Sequence, residues 1–99
     1  MLPLNVVPGA VDVSAATEAG IGAEMAAGTA MVAPALTTVT PMAADADSAA
    51  FSAALNATGA AYLAAAGEHV GQRAVFAGAQ ALGSGTYVAS EALRAANLA

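Results

Sequence analysis

The chain has no cysteine, no tryptophan and no lysine, and its aromatic side chains are two Phe and two Tyr. Each absence removes a class of function. Without thiols there is no disulfide framework and no thiolate metal site, and the redox compartment stays open. Arg73 and Arg94 are the only basic residues against seven carboxylates, for a net charge of −5. A nucleic-acid backbone therefore finds no cluster of cations to neutralise it. Anionic membrane surfaces are disfavoured on the same ground.

What is present is mostly alanine. The chain is 59% hydrophobic but only 4% aromatic. Its 99 residues allow one domain. An alanine core buries little area per residue, and small domains are marginal even with larger side chains. The sequence reads as one half of a larger packed unit. Two stretches of 20 residues, Met25–Ala44 and Ser48–Gly67, carry no charge. The first is broken by Pro34 and Pro41, and the second has Phe51, Leu55, Tyr62 and Leu63 as its only large apolar residues. Ala and Gly sit near neutrality on insertion scales, so no intrinsic membrane span is expected. Nor is a cleaved leader, because Met1–Ala10 has no basic residue and no compact Leu-rich core follows.

Thr37–Ser48 is where helix formers give way to Thr, Pro and Asp. Pro41 cannot sit in a helix interior, and Asp45 can cap a second helix with Asp47 near its positive end. The expected fold is all-α, a two-helix antiparallel hairpin with helices over about 10–39 and 46–82 and a bend at 40–45. An extended lead-in, Met1–Gly9, precedes it. In the first helix Ile21, Met25, Val32, Leu36 and Val39 form a stripe, and Pro34 should kink the helix or end its regular part near Ala33. In the second, Phe51, Leu55, Thr58, Tyr62, Ala65, His69, Gln72, Phe76 and Gly83 recur with a period near 3.5, the pattern of a packed seam. Leu63, Val70 and Val75 widen that stripe. A rod of about 55 Å cannot be covered by its own first helix on more than one side, so a second apolar face should seek another molecule. Gly83-Ser84-Gly85 reads as a helix stop. The expected organisation is thus a hairpin over 1–85 and a mobile, short helical tail over 86–99.

No residue pattern supports catalysis, a cofactor or a metal. His69 is the single histidine and has no carboxylate three or four residues away. The serines lack a nucleophile-elbow context, and the glycines form no phosphate loop. Tyr87 and Glu91 lie one helical turn apart and share a face.

The sequence resembles the N-terminal domain of the mycobacterial PE proteins, small partners of PPE proteins exported by type VII secretion systems. The residues that carry the resemblance are Val6-Val7-Pro8, the Ala-rich first helix and the turn Val39-Thr40-Pro41-Met42-Ala43-Ala44-Asp45. Ser48, the helix around Phe51, Gly59, Tyr62 and the tail Tyr87-Val-Ala-Ser-Glu91 continue it. The Pro-Glu pair that names the family reads Pro8-Gly9 here, and the turn's second proline is Met42.

The resemblance implies a hairpin that completes a four-helix bundle with an obligate PPE partner. It implies folding with that partner in the cytoplasm, then export to the cell surface or beyond. Tyr87 and Glu91 would be the export signal. A system-specific chaperone would act through the PPE partner. Ile21, Met25, Phe51, Leu55, Tyr62 and Phe76 are the expected seam residues shared between hairpin and partner, with Pro41 and Asp45 at the bend. Some members carry long C-terminal domains, including hydrolases, but no enzymatic activity is carried onto these residues. The alternative is a self-associating helical hairpin, a homo-oligomer with no secretion role.

Overall fold

Alanine-rich segments have high helix propensity, and the computed structural model, described over residues 3–99, is built from two helices. They are α1, Pro8–Thr37, and α2, Ala46–Leu98. Met1 and Leu2, part of the expected extended lead-in, lie outside the described residues. Residues 3–7 are irregular, and the helix opens at Pro8 rather than after Gly9. Proline suits that first position, because its missing N–H would have no intrahelical acceptor anyway. The carbonyl of Val7 accepts the N–H of Ala10 at 3.0 Å and that of Val11 at 3.3 Å, which closes the first turn.

Helix α1 passes through Pro34 and continues to Thr37. Its last turn is reinforced by threonines, with the Thr37 hydroxyl donating to the Ala33 carbonyl at 2.9 Å and that of Thr38 to Pro34. Thr17, Thr29, Thr58 and Thr86 bond back four residues in the same way, so these hydroxyls are satisfied inside their own helices. The bend follows at residues 38–45. Pro41 biases Thr40 away from helical backbone. Asn56 of α2 brackets the bend, accepting the Val39 N–H at 2.7 Å and donating to the Val39 carbonyl at 3.1 Å. Asp45 then caps α2, its carboxylate accepting the Ser48 N–H at 2.8 Å and the Ser48 hydroxyl at 2.9 Å.

The expected stop at Gly83-Ser84-Gly85 does not occur: α2 runs through it to Leu98. Glycine ends helices by adopting positive φ, and no glycine here does so. The Ser84 hydroxyl is buried and donates to the Pro8 carbonyl at 3.1 Å, a tertiary contact that offsets the low propensity of its two neighbours.

The chain forms two compact units, residues 1–21 with 72–99 and residues 22–71. Among the described residues the buried hydrophobic side chains are Ala15 and Ala77, joined by Ser52 and Ser84, all of them small. The accessible surface is 7136 Å² for a 9.4 kDa chain. Both helices are long and apolar enough to cross a membrane by length and composition. Alanine supplies much of that hydropathy, at little transfer free energy per residue.

Candidate interaction surface

The side of α2 that faces α1 is set by how closely the backbones approach. In residues 22–71, the buried or half-buried positions on α2 are Ser48, Ser52, Asn56, Gly59, Leu63, Ala66 and Val70. On α1 they include Met25, Thr29, Ala33 and Leu36. A Cβ placed on Gly59 would stand 1.9 Å from the Leu36 carbonyl oxygen, so only glycine permits this crossing. In residues 1–21 and 72–99 the inner positions of α2 are Arg73, Ala77, Gln80 and Ser84. There the Arg73 guanidinium meets the Glu18 carboxylate at 2.7 Å, both side chains mostly buried, and Gln80 donates to the Ser14 hydroxyl at 3.0 Å.

This register corrects the expected seam. The inner positions 52, 56, 59, 63, 66, 70, 73, 77 and 84 each lie one residue beyond the series that began at Phe51. One residue turns the helix by about 100°. At Gly59 the crossing is too close for any side chain, and the inner face is taken by the adjacent row, in which Ser52, Asn56, Gly59, Ala66, Ala77 and Ser84 outnumber Leu63 and Val70. Leu63 and Val70, expected only to widen the stripe, lie on the inner face and are half-buried.

The large apolar residues are consequently outside. Phe51 is 62% exposed, Tyr62 59% and Phe76 53%. Leu55 and Ile21 are also exposed, while Met25 is half-buried on the α1 side. Spaced singly, exposed apolar residues need no explanation; a row at helical spacing does. Its bend-side end opens into a cleft of about 400 Å³ whose walls include Val39, Pro41, Met42, Phe51 and Leu55, with Asp47 also lining it. Val39 and Met42 were not singled out from the sequence as surface-forming residues.

Tyr87 and Glu91 lie on α2 as a helical pair, both exposed, and Glu91 forms an ion pair with Arg94 at 3.3 Å. Both arginines are thus engaged, and Asp12, Glu24, Asp45, Asp47 and Glu68 have no cationic partner among the described residues. His69 is exposed. The Ser48 N–H, helped by the Ser48 hydroxyl, holds the Asp45 carboxyl below the ordinary value of 3.8. The surface can therefore bind by apolar contact, with Asp47 as the carboxylate at its bend-side cleft.

Compared with known proteins, residues 4–94 match the family model described as PE family. No curated protein and no solved structure matches the chain.

Proposed function

The chain belongs to the PE family, and we propose that it is a non-catalytic, secreted subunit that completes a four-helix bundle with a PPE protein. The observation that carries the reading is the exposed apolar row on α2, Phe51, Leu55, Tyr62 and Phe76, set beside an inner face of mostly small and polar residues in which Leu63 and Val70 are the large apolar ones. A helix that spent its large side chains on its own hairpin would leave nothing for a partner. This one keeps them outside. Five carboxylates without cationic partners among the described residues, on a chain of net charge −5, favour a partner that carries basic residues over a second acidic copy.

In this reading Ile21, Phe51, Leu55, Tyr62 and Phe76 contact the partner, Met25 supports them from the hairpin side, and the cleft at the bend receives a large apolar side chain. Tyr87 and Glu91 form the signal read by a type VII secretion system, on the folded pair, with a chaperone acting through the PPE subunit. Pairing precedes export, so the pair folds in the cytoplasm and acts at the cell surface or outside it.

The test is circular dichroism with size-exclusion chromatography on the chain alone, then co-expressed with a PPE helical domain encoded beside it. A poorly ordered chain that becomes a helical 1:1 complex is the expected result. A well-folded homo-oligomer that ignores the PPE domain overturns the heterodimer and leaves the self-associating hairpin. The length and hydropathy of both helices favour one further reading, insertion into lipid; flotation of the lone chain with zwitterionic liposomes is its signature. For the signal, Tyr87→Ala and Glu91→Ala should leave assembly intact and stop export. Normal export of both variants removes that assignment.

A further inference from the structure

On α2, Arg73, Ala77, Gln80 and Ser84 occupy the inner face, and Ser84 meets Pro8, the first residue of α1. The same steps of four and three continue through Tyr87, Glu91, Arg94 and Leu98. These four share the inner face of the helix, past the point where α1 begins, and all are exposed. The row is the uncovered continuation of an interface that the chain already makes with itself.

Read in reverse, the row is its own complement. Laid antiparallel on a second copy, Tyr87 falls opposite Leu98 and Glu91 opposite Arg94, and the two-fold axis repeats both pairs. A parallel alignment would instead place Glu91 on Glu91 and Arg94 on Arg94. No other charge lies on α2 between Arg73 and Glu91, so nothing along the row opposes the antiparallel arrangement.

We propose that the exposed row Tyr87, Glu91, Arg94 and Leu98 docks a second copy of this chain, as an antiparallel two-helix contact centred between Ala92 and Leu93. In that contact the Glu91–Arg94 pair made within one helix at 3.3 Å is exchanged for two pairs between copies. About three turns of helix bury less than the roughly 1,200 Å² of a stable interface, so the association is transient and concentration-dependent. It is also weakened by salt, because the pairs are exposed. The contact covers Tyr87 and Glu91, and whatever reads those side chains competes with it. It stands independently of the export reading: export lost with association kept, or the reverse, separates the two.

The test uses the full chain in the soluble form in which it purifies, alone or with its co-expressed partner, by sedimentation equilibrium over a concentration series at low ionic strength. The wild type self-associates. Glu91→Arg and Arg94→Glu each place two like-charge pairs across the axis, and each weakens association about tenfold. Mixing the two variants restores it, because one copy then carries two carboxylates and the other two guanidinium groups. Neither variant retains the pair within the helix, so an effect confined to one chain cannot produce the rescue. Circular dichroism on each variant reports that the helix persists. A wild type that stays unassociated at millimolar concentration, variants that associate like the wild type, or a mixture no stronger than its components would each overturn the proposal.

Discussion

In residues 22–71 the helices cross where Leu36 presents its carbonyl to Gly59, and the bend is held by Asn56 on Val39 and by the Asp45 cap. In residues 1–21 and 72–99 nothing comparable limits the approach, and the helices are bridged instead by polar side chains. These are Ser84 to Pro8, Gln80 to Ser14 and Arg73 to Glu18. One unit is fixed by a steric fit and the other by a ladder of hydrogen bonds. The difference has a common cause. Alanine faces are alike in every register, so a hairpin built from them takes its register from the exceptions, and each unit uses the exceptions it has. The polar ladder is incompletely satisfied, with Arg73 Nε and Gln80 Oε1 buried and unpartnered, whereas the steric fit carries no such cost.

The largest expected effect tests the steric side. Gly59→Ala puts a methyl group into the Leu36 backbone, which cannot rotate away as a side chain could, so the helices must separate. The expected loss is about 3 kcal/mol, measured by urea unfolding of the assembled protein, despite the better helix propensity of alanine. Gly67 and Gly78 have nothing within 4 Å of the added methyl. Gly67→Ala and Gly78→Ala should therefore stabilise by up to about 1 kcal/mol each. If all three glycines respond alike, propensity rather than the crossing governs, and the contrast between the units collapses.

Next in size is Asn56→Ala, which leaves the N–H and carbonyl of Val39 without their partners and should cost about 2 kcal/mol. On the polar side, Arg73→Ala strands the Glu18 carboxylate in a mostly buried position, at about 1–2 kcal/mol. The double variant Arg73→Met/Glu18→Leu should recover most of that loss, since a well-packed apolar pair commonly replaces a buried ion pair without penalty. Unfolding of the single and double variants in one series decides it. A double variant worse than Arg73→Ala would mean that the charges themselves fix the register.

Helix type, the hairpin and the bend were legible because Pro41, the cap at Asp45 and long alanine-rich runs act locally. The inner face was not. Hydrophobic periodicity marks where large side chains recur, and here that row begins at Phe51 and lies outside, while the face packed on α1 begins one residue later with Ser52, Asn56 and Gly59. A row of small and polar residues at the same spacing was present in the sequence, but burial rules rank Phe and Leu above Ser and Gly. The end of α2 was misjudged for a related reason: Gly83 and Gly85 signal a stop locally, and the contact of Ser84 with Pro8 lies 76 residues away in sequence. Tyr87 and Glu91 were legible as a helical pair, whereas Arg94 and Leu98 gain meaning only once the inner face is known to run through them.

The smallest expected effect belongs to the cap. Asp45 is depressed below 3.8 by the Ser48 N–H, with the Ser48 hydroxyl adding to it, so the folded state holds the ionised form preferentially. A carboxyl with a lowered folded value contributes stability above its unfolded value and loses it as pH falls through the folded one. The melting temperature of the wild type should therefore exceed that of Asp45→Ala by a constant margin from about pH 7 to about pH 5, and the margin should shrink below about pH 4. Asp45→Asn keeps a neutral acceptor for the Ser48 N–H, so its melting temperature relative to Asp45→Ala should not change over the same range. A margin for the wild type that persists unchanged into strong acid would show that the hydrogen bond, and not the charge, carries the cap. The bend-side unit would then owe its order to steric fit and neutral hydrogen bonds alone, which is the sharpest form the contrast with the ion-paired unit can take.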